Sequence, residues 1–217
     1  MNAVVFPPAA VRPPWRRLQA RCRAGLVLLL AALWLAVLLP AGPAVAAPAL
    51  TLEALMATLA QVKSGEARFV ERRHIQSLDR TLESSGRLSF AAPSVLVRET
   101  LSPRPDRLAV DGNTVTMTAG GRSRTLALDA TPEAQVLVEA IRGTLTGNRA
   151  TLERLFTPRL SGSLERWTLE LVPRDAQLRG QVARVQVSGR QAVLREMQVL
   201  LADGDETVTQ IEPLPAR

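Results

Sequence analysis

The sequence predicts an α+β fold, a long antiparallel sheet curled into a half-open barrel with a helical lid over its apolar face. Three observations carry this reading. Strand-like runs between Ser85 and Gly112 are punctuated by Pro93, by Pro103 and Pro105, and by Asp111-Gly112. Proline cannot donate to a sheet ladder, so each proline marks a strand end or an edge. Asp-Gly suits a hairpin turn that needs positive φ. Apolar and polar residues alternate along the strands: Trp167, Leu169 and Leu171 share one face, as do Met197, Val199 and Leu201, and as do Leu88 and Phe90. Such a sheet has one apolar and one wet side. Helical periodicity is confined to two regions, the only candidates to cover the apolar side.

The elements follow in order. Thr51 is a plausible N-cap, with Glu53 in the first turn and Leu50 and Leu55 forming a hydrophobic staple. Leu52, Leu55, Met56, Leu59 and Val62 make an apolar stripe at helical spacing, ending near Ser64-Gly65. Six strands are predicted next: Ala67–Gln76, Thr81–Phe90, Val95–Leu101, Arg107–Val110, Thr114–Thr118 and Arg122–Leu128. Gly120-Gly121 joins the last two as a tight hairpin. Thr131-Pro132-Glu133 then reads as a helix start, with Thr131 as cap and Pro132 at the first helical position. Val136, Leu137, Ala140, Ile141 and Leu145 form that helix's apolar face, and Gly147 stops it. A short helix, Thr151–Phe156, ends before Pro158. Four further strands are expected at Leu164–Val172, Val182–Val187, Val193–Leu201 and Glu206–Ile211. Helix, six strands, helices, four strands is an α+β order.

Residues 1–46 read as a cleavable export signal, and 47–217 as one domain. Arg12, Arg16, Arg17, Arg21 and Arg23 form a basic segment with no acidic residue. The apolar run Ala24–Leu39 follows, then Pro40, Gly42 and the small-residue site Ala44-Val45-Ala46. The run is shorter than the roughly 20 residues of a spanning helix. The expected mature chain begins at Ala47 and resides in the periplasm. Cys22, the only cysteine, precedes the apolar run, so it is not positioned for lipidation at the cleavage point.

Removing this leader changes the charge argument. The whole chain carries +7. Without the leader's five arginines, 22 basic residues stand against 20 acidic ones, a net charge of +2. The basic excess is thus no argument for nucleic acid, and no arginine-aromatic interleaving accompanies it. The mature chain has no cysteine for a disulfide, and its length fits one domain with a real core.

Signals of enzymatic chemistry are absent from the sequence, and no catalytic residue, metal or cofactor is expected. His74 is the only histidine and reads as a partly exposed strand residue. As a base or metal ligand it would need partners, and no G-x-S-x-G elbow exists. Asp203 and Asp205 flank Gly204, but the longer loop of a calcium site is missing, so this reads as a hairpin turn. Glu71, Arg72 and Arg73 read as a solvated strand edge, and Arg104-Pro105-Asp106 as a turn.

The apolar strand face is the remaining functional candidate. After Ala47 only Phe69, Phe90, Phe156 and Trp167 are aromatic. A curled sheet filled mainly by aliphatic side chains can leave a hollow suited to acyl chains. Candidate lipid-binding residues are Phe69, Leu88, Phe90, Leu96, Trp167, Leu169, Met197 and Val199. Candidate lid residues are Leu52, Leu55, Leu59, Val136 and Ile141.

The strand-Pro-strand-Pro-strand-Asp-Gly segment resembles the LolA-like periplasmic carriers of lipoproteins and lipids, closest to a LolA-related group. Phe69, Glu71, Gly86, Leu88, Pro93, Ser102-Pro103-Arg104-Pro105, Leu108 and Asp111-Gly112 carry the resemblance. Leu152, Phe156, Trp167, Leu169 and Leu171 extend it through the second half. It implies a monomeric carrier that shields acyl chains of a lipoprotein or glycolipid on the way to the outer membrane. It also implies an inner-membrane exporter or releasing complex as partner. The closer group is associated with acyltransferases and lipid exporters, so a non-shuttling lipid sensor or adaptor is the alternative reading. The chain departs from the family pattern at Ala92, where LolA carriers have an arginine that hydrogen-bonds the lid, and at Leu96 and Arg98, where they have aromatics. The expectation here is a lid held mainly by apolar contacts.

Overall fold

The computed structural model describes residues 50–215. The expected leader and its cleavage site lie outside them. Eleven strands form one antiparallel sheet in the order β6-β5-β4-β3-β2-β1-β11-β10-β9-β8-β7. They are β1 Ser64–Ile75, β2 Arg80–Ala91, β3 Val95–Ser102, β4 Asp106–Asp111, β5 Thr114–Ala119 and β6 Arg122–Ala127. The second half adds β7 Phe156–Ser163, β8 Arg166–Pro173, β9 Val182–Arg190, β10 Val193–Leu201 and β11 Glu206–Pro213. Among the described residues four α-helices accompany them: α1 Leu52–Leu59, α2 Pro132–Leu145, α3 Arg149–Leu155 and α4 Ala176–Arg179. Among the described residues, no helix is long and apolar enough to cross a membrane.

The punctuation acts as its chemistry dictates. Pro93 lies between β2 and β3, and Pro103 and Pro105 lie between β3 and β4. Gly112 takes φ +56, and Gly120 and Gly121 take +56 and +74, so the β4–β5 and β5–β6 hairpins use glycine where φ is positive, while the β9–β10 turn places Gln191 at φ +51. Thr51 Oγ1 accepts from Ala54 N at 3.1 Å and caps α1. At α2 the cap differs from the expectation. Thr131 occupies the N-cap position, but its side chain makes no capping bond, and Pro132 is what starts the helix.

Two elements depart from the sequence reading. The chain was expected to form ten strands, and β7 is the eleventh. Pro158 reads as a helix terminator in the sequence, yet it sits inside β7. β7 is an edge strand, where a missing N–H is tolerated. The preceding helix correspondingly starts earlier, at Arg149, because Asn148 Oδ1 accepts from Thr151 N at 3.0 Å. The run expected as a strand from Leu164 begins at Arg166, and Leu164 and Glu165 make the β7–β8 turn.

The register carries one face across all eleven strands. Leu126, Val115, Val110, Leu96 and Phe90 oppose one another in sequence from β6 to β2. Ser84, Glu71, Thr209, Met197, Val187, Leu169 and Leu160 do so from β2 to β7. This face is wrapped around α2. Val136 and Ala140 share a core with Val185, Val187 and Trp167, while Ala134 and Val138 pack against Val110, Val115 and Leu128. β5 and β9 lie seven strands apart in the sheet, about 34 Å if it were flat. One helix is only about 10–12 Å across. The sheet is therefore curled, and β6 and β7 remain unpaired edges.

Candidate functional site

The concave face divides into a filled half and an open half. In the filled half, Trp167, Leu169 and Leu171 of β8 and Val182, Val185 and Val187 of β9 are sealed beneath Leu55, Met56 and Leu59 of α1, Val136 and Ala140 of α2 and Leu152 of α3. Trp167 is fully buried, and its indole Nε1–H donates to the Gln191 carbonyl at 2.9 Å. A buried Trp needs such a partner. Gly189 opposes it, and a Cβ there would stand 2.5 Å from the indole. Aliphatic side chains, the indole and the fully buried Phe156 ring fill this half.

The open half lies on β2 to β5. Leu88, Leu96 and Leu108 are half-buried, and Met117 is 50% exposed. Leu88, Arg98, Leu108, Met117 and Arg124 oppose one another on successive strands from β2 to β6. α2 covers only one end of these strands, where Ala134 and Val138 meet Val110, Val115 and Leu128.

Between the two halves stands a polar network. Glu71 follows Phe69 at the two-residue spacing of one strand face, and Arg98 follows Leu96 in the same way. Arg98 Nη2 donates to Glu71 Oε1 at 2.8 Å and to Ser84 Oγ at 3.2 Å. Ser84 Oγ also donates to Glu71 Oε1 at 3.3 Å, and Thr209 Oγ1 donates to Oε2 at 3.2 Å. The guanidinium lies over the Phe69 ring, 4.8 Å from its centroid, a favourable cation–π arrangement. Gly86 makes this stack possible. A Cβ at Gly86 would lie 1.9 Å from the Glu99 carbonyl oxygen and 2.9 Å from Phe69 Cε1. The expected solvated edge at Glu71-Arg72-Arg73 is corrected in part: Arg72 and Arg73 are exposed, but β1 is a central strand between β2 and β11, and Glu71 is 20% exposed with a partner on each oxygen.

The lid is tied by a polar anchor as well as by its apolar face. Arg142 of α2 donates from Nη2 to the Gly112 carbonyl at 2.8 Å and to the Ser94 carbonyl at 3.3 Å. Its Nη1 donates to Glu139 Oε1 at 2.8 Å. One lid arginine thus grips the β2–β3 and β4–β5 turns together. This adds to the expectation, based on Ala92, of a lid held mainly by apolar contacts a polar tie that it did not include. The arginine comes from the opposite side of the joint. A cleft of about 330 Å³ beside it is lined by Pro93, Glu139, Arg142, Gly143, Thr146, Asn148 and Thr151. Gly147, at φ +64, lets the end of α2 approach α1, where a Cβ would stand 2.2 Å from the Met56 carbonyl oxygen.

The structure separates the sequence-predicted residues into three groups. Trp167, Leu169, Met197 and Val199 join the filled half together with the lid residues Leu52, Leu55, Leu59 and Val136. Leu96 belongs to the smaller cluster around Val110. Phe69, Leu88 and Phe90 share their face but stand between the clusters. Ile141 is half-buried and joins neither cluster. Glu71 and Arg98 were read from the sequence only as a strand edge and as a departure from the family pattern, and Ser84, Thr209 and Arg142 were not singled out. Parity with Phe69 and Leu96 was the available signal for the first two.

His74 is half-buried in β1, with Nδ1 3.5 Å from Thr81 Oγ1. Among the described residues, no three His, Cys, Asp or Glu side chains are grouped to hold a metal. The Asp203-Gly204-Asp205 segment is a turn between β10 and β11, and it does more than turn. Asp205 Oδ2 accepts from Arg73 Nη2 at 3.0 Å and Oδ1 from Gln76 N at 3.0 Å. The Arg73 hydrogen bond, aided by the Gln76 amide and by the charges of Arg73 and His74, holds the Asp205 carboxyl below the usual aspartate range against the opposing effect of burial.

Comparison with known proteins adds the lineage. The family described as outer membrane lipoprotein carrier protein LolA-like matches residues 44–212. No curated protein sequence matches the chain. Among solved structures, the LolA superfamily protein NE2245 from Nitrosomonas europaea is similar at 11% identity and a TM-score of 0.43, over 78% of this chain and 96% of that one. A DUF1329 family protein from Desulfovibrio piger is similar at 11% identity and 0.45, over 74% and 88%. LprF from Mycobacterium bovis is similar at 10% identity and 0.35, over 76% and 94%.

Proposed function

The chain belongs to the LolA-like family of outer membrane lipoprotein carrier proteins, and from that premise we propose that it is an exported carrier of acyl chains. It shields the chains of a lipoprotein or glycolipid on its concave face and moves them through the periplasm towards the outer membrane. The observation that supports this most is the open half of the face. Leu88, Leu96, Leu108 and Met117 form an aliphatic surface next to a sealed core, and the lid reaches only one end of it.

The energetics suit the task. Removing about 15 methylenes from water at roughly 0.8 kcal/mol each is worth on the order of 12 kcal/mol. Apolar contacts are non-directional, so the open surface suits a range of chains. The filled half leaves less room for cargo than an empty barrel would. That observation favours one second reading, a lipid-sensing adaptor that docks on an inner-membrane exporter and shuttles nothing.

The deciding experiment is mass spectrometry of lipid extracted from protein purified from its native envelope. Stoichiometric acylated cargo supports the carrier. Lipid-free protein that co-purifies with an exporter subunit supports the adaptor. Leu88→Glu tests the surface directly, because an uncompensated charge on a dry apolar face is costly. It should abolish binding of a fluorescent fatty acid, while His74→Ala should bind like wild type.

A further inference from the structure

We propose that the open half of the face contains a headgroup site, in which Arg98 and Thr100 bind the oxyanion of an acyl amphiphile. The proposal rests on the carrier reading and names the chemical class of its cargo: a carboxylate or phosphate at the end of an aliphatic chain.

The polar network has donors to spare. Both oxygens of Glu71 are occupied, Oε1 by Arg98 and Ser84 and Oε2 by Thr209. Arg98 offers five N–H donors, yet among the described residues only Nη2 has an acceptor. Its Nε and Nη1 are unused, and the side chain is 34% exposed. A surplus of guanidinium donors is a site for a planar or tetrahedral oxyanion.

A second observation points the same way. Thr100 is 5% exposed, and its hydroxyl has no hydrogen-bond partner. Native structures seldom leave a buried hydroxyl unpaired. Thr100 lies two residues from Arg98 on the same face of β3, opposite Gly86. An oxyanion bound on this face at the free Arg98 donors would supply the acceptor that the hydroxyl lacks.

The surroundings fit an amphiphile rather than a free inorganic ion. Phe69 lies beneath the guanidinium. Leu88 opposes Arg98 on one side, and Leu108 followed by Met117 on the other. An acyl chain laid over these residues brings its head to Arg98. Glu71 holds the cation in place and also weakens its pull on an anion, so it sets the affinity.

The test measures displacement of a fluorescent fatty acid from the purified protein by laurate, dodecyl phosphate and methyl laurate. Methyl laurate reports the apolar surface alone. The expected result is that laurate and dodecyl phosphate bind about tenfold tighter than the ester, a ratio that one charge-assisted contact supplies. Arg98→Gln should bring the ratio to about one with ester binding unchanged, and Arg98→Lys should restore part of it. Glu71→Gln should raise laurate affinity several-fold and leave the ester alone. Thr100→Val should weaken the anions only. A merely structural ion pair would move acid and ester together, and that result overturns the proposal. An unchanged ratio in Arg98→Gln overturns it as well. If the ester itself fails to bind wild type, the carrier reading falls, and the headgroup site with it. Should Arg98→Gln not fold, the Glu71→Gln and Thr100→Val ratios decide the question.

Discussion

Arg142 Nη2 lies 2.8 Å from the Gly112 carbonyl oxygen, so the lid helix is fastened to a hairpin turn by a charged donor. The same nitrogen reaches Ser94, and Glu139 neutralises the other branch. Hydrogen bonds to charged groups are worth roughly 1.5–3 kcal/mol each. Arg142→Met keeps the apolar stem and removes the anchor. It should lower stability by about 2 kcal/mol, and it should speed amide exchange in α2 more than in β8 and β9. Urea unfolding with hydrogen exchange checks both, and uniform loss of protection across the sheet would count against a lid anchor.

Gly86 should tolerate no side chain. Alanine there would place Cβ within 1.9 Å of the Glu99 carbonyl oxygen, which belongs to a neighbouring strand and cannot step aside alone. Overpacking of this kind costs about 1–3 kcal/mol. Gly86→Ala should therefore lower the denaturation midpoint and disturb the Phe69–Arg98 stack. Unaltered stability would mean that β2 and β3 part more easily than their register implies.

The helices and hairpins were legible because their signals are local. Thr51 caps α1, Pro132 opens α2, and positive-φ glycines close the turns. The one-sided strands were legible too, since alternation fixes which residues share a face. β7 was not, because Pro158 carries opposite meanings at a helix end and on a sheet edge, and only the strand order decides between them. Nor was the role of Glu71. Its face follows from Phe69, but its acceptors are filled by Arg98 and Thr209, which lie 27 and 138 residues away in the chain. Arg142 was hidden for the same reason: its turn partners are 30 and 48 residues distant.

Export should remove the leader. The basic segment, the apolar run and Ala44-Val45-Ala46 set the expected mature N-terminus at Ala47. Intact-mass measurement on protein from a periplasmic extract should give a chain beginning within a few residues of it. Full-length protein retained on the membrane would instead make the apolar run an anchor, and a tethered chain cannot shuttle.

The Asp205–Arg73 tie should appear in the acid limb of stability. Asp205 joins the β10–β11 turn to the end of β1 through Arg73 and the Gln76 amide. Its carboxyl is held below the ordinary aspartate value, first by the Arg73 hydrogen bond. A carboxylate with a depressed folded-state pKa stabilises the fold fully above its unfolded value, about 3.9. That contribution is lost as pH falls through the lower, folded value. Asp205→Asn should be less stable than wild type at pH 7 and should lose less stability on going from pH 5 to pH 2. The difference should shrink in high salt, because Arg73 is half exposed and its charge is screened. Urea midpoints for both proteins at several pH values provide the measurement. Parallel acid limbs for the two proteins would show that the tie holds geometry without coupling to protons.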